Sequence, residues 1–251
     1  MKRYTVLSYL YGNYECLHEV GEVDPDADYI LVTDRKDIRS NTWRIIFEPL
    51  NGMSLFEKMY AIRFQPFRYA RTELCVRLDS SIGIHKSLRP FIDKMEDGQY
   101  DRCLMLHPAR ISLTAEYECW TKYRKYPEKQ AQRCLRSVKD MGYSLDYKGL
   151  FQLTFEIVRH NHVNTELNEE TLRMLHKLRT ATDIERIDQT IFTAITNLYF
   201  SDRLKVLPVP ETIITGGDWM TWYQHNSVRP HRSRITIPPT MFNAPCKPWQ
   251  P

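Results

Sequence analysis

Glycine is scarce in this chain, with nine residues in 251. None of them forms a G-x-x-x-x-G-K-[ST] or a G-x-G-x-x-G run, which excludes the P-loop and the dinucleotide fingerprint. If an α/β sheet here binds a nucleotide, it must use side chains and a metal rather than a glycine-rich backbone cradle. G-x-S-x-G and H-E-x-x-H are missing as well, so nucleophile-elbow and zincin signatures are absent. The six cysteines (Cys16, Cys75, Cys103, Cys119, Cys134 and Cys246) include no C-x-x-C pair. That spacing offers neither a zinc site nor a disulfide framework, and a reducing, cytoplasmic setting is the expectation. No segment approaches the ~20 apolar residues that span a bilayer. The start, with Lys2 and Arg3 before a short apolar stretch, lacks a small-residue cleavage site and reads as a first strand. Association with a membrane surface through partners stays open. Charge of one sign is also weak: 35 basic against 31 acidic residues give a net +4, too little to mark a nucleic-acid binder.

What is present is an alternation of strand and helix signals. Val6–Leu10, Tyr29–Thr33, Trp43–Phe47, Leu74–Leu78 and Cys103–Leu106 are β-type runs. A helix from a Ser54 cap to about Phe64 separates the third from the fourth. Such alternation predicts an α/β fold with a mostly parallel sheet flanked by helices. The second half reads as more helical. Helices are expected from Pro127 to Gly142, from an Asn168 cap through Leu172, Leu175 and Leu178, and from an Asp183 cap through Ile191 and Ile195. Leu153–Val158 is β-rich, and His160 and His162 are expected to share one strand face beyond it. The basic, proline-rich segment 229–251 reads as an extended tail. No internal repeat or low-complexity linker divides the chain, so one domain is expected.

In open α/β sheets ligands bind beyond the carboxyl ends of the strands. The polar residues that follow strands here are Asp34, Asp79 and His107. Arg68 and Arg71, three apart, can share a helix face, and their forked donors suit phosphate. A carboxylate such as Asp79 at a strand end is well placed to hold a divalent cation against a diphosphate. The plainer alternative makes the arginines solvated helix charges and Asp79 a turn residue. Asp188 falls near Ile184, Ile191 and Ile195 on the apolar side of its helix. An unpaired carboxylate is too costly to bury there, so it meets an arginine in a structural salt bridge or borders a cavity. His107 is either a structural histidine or, with Arg110 and Glu116, part of a polar cluster holding hydroxyls.

The run Tyr29 to Asp34, the Ser40-Asn41-Thr42-Trp43 segment, Arg71 and Leu78-Asp79-Ser80-Ser81-Ile82 resembles the GT-A glycosyltransferases. The likeness is greatest to the glycosyltransferase-like family of plant mucilage-related and bacterial polysaccharide proteins. It continues through His107-Pro108-Ala109-Arg110, Glu116, Gly149-Leu150, Arg159 with His160 and His162, and Asp188-Gln189, covering about Tyr4 to Tyr199. Tyr69-Ala70-Arg71 and Asp188-Gln189 are also similar to the glycogenin-like transferases, and Lys247-Pro248-Trp249 echoes their late lysine-proline-tryptophan.

The resemblance implies a single GT-A-like domain. Residues 1–110 would bind a UDP- or GDP-sugar, 111–228 would shape a glycan acceptor site, and 229–251 would lie over them. It implies donor binding by Leu7, Tyr9, Asp34, Arg68 and Arg71, with Asp79, Ser81 and Lys247. Acceptor binding would fall to Glu116, Arg159, Gln189, Trp219 and Trp222, and catalysis to Asp188 and His107. The family's Asp-x-Asp holds Mn²⁺ or Mg²⁺, but this chain has Asp79-Ser80-Ser81. The cation would therefore rest on Asp79 and a late histidine such as His231, or give way to Arg71 and Lys247. The lost carboxylate keeps a non-catalytic nucleotide-sugar-binding relative in view. The basic Arg229–Arg234 segment keeps, more distantly, a nucleic-acid-directed protein.

Overall fold

The computed structural model describes residues 2–223 except 13–14, 108–109, 124–125, 183, 185–186, 211 and 216–217. Seven strands make one sheet in the order β3-β2-β1-β4-β7-β6-β8. They are β1 (Tyr4–Leu10), β2 (Ala27–Thr33), β3 (Arg44–Phe47), β4 (Leu74–Leu78), β6 (Arg102–Leu106), β7 (Phe151–Arg159) and β8 (Val206–Val209). All run parallel except β7, which is antiparallel to both of its neighbours. A separate ladder pairs β5 (Ile82–Ile84) with β9 (Met220–Trp222). The architecture is mixed α/β, with a mostly parallel sheet flanked by helices.

Every residue of β1 and β4 is buried, as continuous apolar runs require when both sheet faces are covered. The helices α3 (Leu113–Lys122), α4 (Glu128–Asp140), α5 (His162–Thr182) and α6 (Asp188–Ile195) share one core with the start of β7, around Trp120, Leu167 and Phe192. A second core joins α2 (Arg89–Asp97), α7 (Thr212–Thr215) and the β5–β9 ladder to the sheet through Phe91, Phe155 and Met220. Helix α1 (Leu55–Phe64) opens on the expected Ser54 in a full capping box with Glu57.

Four local expectations are corrected. Asn168 does not cap a helix. It lies within α5, buried, and its Oδ1 accepts from Arg102 at 2.9 Å. His160 and His162 do not alternate on a strand: β7 ends at Arg159, His160 stacks on Phe67, and His162 opens α5. Arg68 and Arg71 share no helix, because Arg68 ends the short turn Pro66–Arg68 and Arg71 lies in the loop before β4. The last long apolar helix begins at Asp188, with Ile187 before it as cap, rather than after Asp183. Asp183 and the segment 229–251 lie outside the described residues.

The chain runs from β1 outward to β2 and β3, then returns to β4 on the other side of β1. The carboxyl ends of β1 and β4 therefore flank a topological switch point, where open sheets of this kind leave a crevice.

Candidate functional site

A cavity of about 230 Å³ opens at that switch point. Tyr9 and Tyr11 from the end of β1, Asp79 to Ser81 after β4, and Arg110 after β6 line its sheet side. Arg63 from the last turn of α1 and Asp188 with Gln189 from the start of α6 close it from above. Because β7 alone is antiparallel, its first residues, Gln152 to Thr154, reach the same edge.

An irregularity in β7 brings these residues in. Its partners on β6 step by two residues, from Cys103 to Met105, while β7 itself steps from Ile157 back to Gln152. Such a bulge leaves backbone groups without ladder partners, and buried ones must be met elsewhere. Here side chains meet them: Gln189 Oε1 accepts from the Leu153 N–H at 3.3 Å, and Arg77 donates to the Leu153 carbonyl. The Thr193 hydroxyl likewise accepts from the Phe151 N–H at 3.0 Å. Helix α6 is thereby fastened over the bulge.

Charges at the cavity are organised around Arg63, whose side chain is 6% exposed. It pairs with Asp79 at 2.6 Å and with Asp188, and it donates to the Tyr9 hydroxyl at 2.8 Å. Asp79 Oδ1 also accepts from Tyr9 at 2.8 Å and from Arg77 at 3.1 Å. Burial alone would raise the Asp79 pKa, but Arg63 and Arg77, with the Tyr9 hydroxyl, hold it below the ordinary carboxylate value. Burial beside Asp79 pushes the Tyr9 phenol up, although Arg63 and Arg77 oppose this. Behind Asp79 the fully buried Glu156 links Arg77 to Arg102, which also reaches Asn168 and lies 4.6 Å from the Phe192 ring centroid. The row Arg77–Glu156–Arg102 is thus a buried ionic spine running from the core to the site.

A divalent cation takes about six oxygen ligands. Asp79 is already bound by two guanidiniums and a phenol, and no cluster of three or more His, Cys, Asp or Glu side chains forms among the described residues. A dication beside Asp79 would face Arg63 and Arg77 directly. The described residues therefore do not fit a metal centre, and guanidinium stands where the cation was expected. His231 and Lys247 lie outside the described residues.

No protein-family model matches this chain, and no curated protein matches it. One solved structure that it resembles is mouse xyloside xylosyltransferase 1 in its apo form. The identity is 9% and the TM-score 0.46, over 82% of this chain and 85% of that one. The functional reading rests on the site itself.

Of the residues expected from sequence, Tyr9, Asp79, Ser81, Asp188, Gln189 and Trp222 line the cavity together. Adjacent residues on a helix point about 100° apart. Both reach the cavity because they occupy the first two positions of α6, at its edge. His107 stands one step back: the Arg110 Nε lies 2.7 Å from its Nε2, and Arg110 also pairs with the buried Glu116. These three form the polar cluster that the sequence allowed, with Arg110 as the member that reaches the cavity.

The others lie elsewhere. Leu7 is fully buried within β1. Asp34 accepts from the Gly12 N–H at 2.9 Å. Arg68 faces Tyr69, and Arg71 is exposed at the amino end of β4, a full strand length of ~13 Å or more from Asp79. Arg159 sits at that same edge and spends its donors on Tyr100, Met95 and Glu73. Trp219 packs on Phe91 in the second core.

Sequence reasoning missed Arg63, Gln152 and Tyr11. The reasoning applied to Asp188 also detects the first: Arg63 is a lone charge between Ile62 and Phe64. Gln152 was visible as the first member of the polar series Gln152, Thr154, Glu156, which alternates with Phe151, Leu153 and Phe155.

Proposed function

We propose that this chain is a glycosyltransferase, moving a sugar from a UDP- or GDP-sugar to a hydroxyl of a glycan or similar acceptor. One observation carries the reading. A cavity at the topological switch point holds two carboxylates, Asp79 and Asp188, on opposite walls and bridged by the buried Arg63. The sequence resemblance to GT-A enzymes runs through both of these carboxylates. At about 230 Å³ the cavity is smaller than the ~300–1,000 Å³ usual for whole-ligand pockets. It suits the sugar end of an extended donor, with the nucleotide lying along the strand ends.

In this reading the acceptor hydroxyl oxygen attacks the anomeric carbon. The bond from that carbon to the diphosphate oxygen breaks, and its electron pair leaves with the diphosphate. The hydroxyl proton goes to a carboxylate, for which Asp188 is positioned by Arg63. The departing charge meets Arg110, whose guanidinium side chain is 21% exposed and shared with Glu116. No step is assigned to a metal.

The test is a thermal-shift screen of nucleoside diphosphates and their sugars, followed by product analysis of the best donor with simple glycan acceptors. A nucleoside diphosphate should raise the melting temperature by mass action, and turnover should follow with its sugar. A shift with a nucleotide sugar but no transfer or hydrolysis would instead mark a binding protein. No shift with any nucleoside diphosphate, with or without Mn²⁺, would sink the reading.

A further inference from the structure

Buried polar atoms almost always find partners. Among the described residues, four that line this one cavity each carry a buried polar atom with no partner: Tyr11 Oη, Arg63 Nε, Gln152 Oε1 and Thr154 Oγ1. Tyr11, Arg63 and Gln152 are themselves at least nine-tenths buried. Such groups are costly while unpaired, so their gathering around a single space marks it as built for a hydrogen-bonding ligand.

Their chemistry specifies the ligand. Arg63 Nε–H only donates, the Gln152 amide oxygen only accepts, and the hydroxyls of Tyr11 and Thr154 do both. A phosphate oxygen only accepts, so it satisfies Arg63 but is repelled by the Gln152 oxygen. A hydroxyl does both and suits all four. The charged walls agree. Three carboxylates (Asp79, Asp188 and Glu15) face the space with two guanidiniums, and both guanidiniums already bind protein carboxylates. A ligand carboxylate would face these three protein carboxylates and could only share guanidiniums that are already paired. Phe56, Met59 and Tyr60 on the α1 side offer apolar surface for the C–H face of a ring.

We propose that this cavity takes a neutral, hydroxyl-rich sugar ring, not a uronic acid or a phosphate, and that Gln152 and Thr154 on the bulged strand are its specificity-determining residues. The proposal deepens the transferase reading by naming its class of sugar, and it stands on the lining chemistry.

The test uses the full chain and saturation-transfer NMR with free glucose, galactose and xylose, alongside glucuronate, UDP and GDP. Neutral sugars should give signal at millimolar concentration, and glucuronate should not. Gln152→Leu should weaken the neutral sugar about tenfold while leaving nucleoside diphosphate binding unchanged. Thr154→Val, close to isosteric, serves as the second variant where Gln152→Leu folds poorly, and should act in the same direction. Equal binding of glucuronate, undiminished sugar binding in both variants, or no neutral-sugar signal at all would overturn the proposal. The two readings separate cleanly. Sugar binding without nucleoside diphosphate binding keeps this proposal and removes the transferase. Nucleoside diphosphate binding with no preference for a neutral sugar does the reverse.

Discussion

Arg63 serves two carboxylates at once, and this decides what substitutions around it should do. Asp188→Asn leaves Arg63 paired with Asp79, so no buried charge is stranded. Its stability cost should stay within about 2 kcal/mol, while turnover should fall by ~10²-fold or more if Asp188 takes the acceptor proton. Thermal melts and single-donor kinetics check both halves, and an early-melting variant with normal turnover would refute the role. Arg71 gives the opposite kind of prediction. It lies at the amino edge of the sheet, so Arg71→Ala should leave the nucleoside diphosphate thermal shift unaltered, whereas Arg110→Ala should reduce it. Equal effects would place the diphosphate elsewhere. At this scale the sequence was informative wherever a polar residue interrupted an apolar pattern, as Asp188 does. It misled at Arg71, where the family resemblance outweighed the rule that the crevice lies at the carboxyl ends, since Arg71 precedes β4 and so sits at its amino end.

Among the elements, β7 and α6 do most to shape the site, and they also show what was hidden. The strands β1, β2 and β4 were legible because buried parallel strands are continuous apolar runs. The apolar stripe of α6 was legible too, but not its first residue, since Ile187 supplies no capping side chain. The bulge in β7 had no sequence signal, because its backbone is satisfied by Gln189 and Arg77 from elsewhere in the chain. Behind it, Glu156 joins two fully buried arginines. Removing its charge strands the buried Arg102 and leaves Arg77 only its pairing with Asp79, so Glu156→Gln should lose about 3–5 kcal/mol of stability. Chemical denaturation would read this as a lower midpoint, and a near-neutral result would mean the spine is solvated.

For the molecule as a whole, the same pairings predict its response to acid. Burial works to raise Asp79 and Glu156, yet neighbouring arginines hold both below their ordinary values. The unfolded chain then takes up protons first, at about pH 4. The stability from these groups is full above that point and is lost as pH falls through the folded values. Melting temperature should therefore hold from about pH 7 to 5 and drop below about pH 4. Asp79→Asn should melt earlier at neutral pH but lose less on acidification, and an acid-insensitive wild type would contradict the scheme. The β5–β9 ladder has a further consequence, one of timing. It joins segments some 136 positions apart, as His85 and Thr221 show in their 2.7 Å contact, and it brings Trp222 to the cavity wall. Domains assemble from the amino terminus while the ribosome is still adding residues. The sheet strands up to β8 are all made before residue 220 leaves the exit tunnel, so a nascent chain halted short of it holds its scaffold but an unfinished cavity. The ability to take substrate should thus appear only once the β5–β9 ladder has closed.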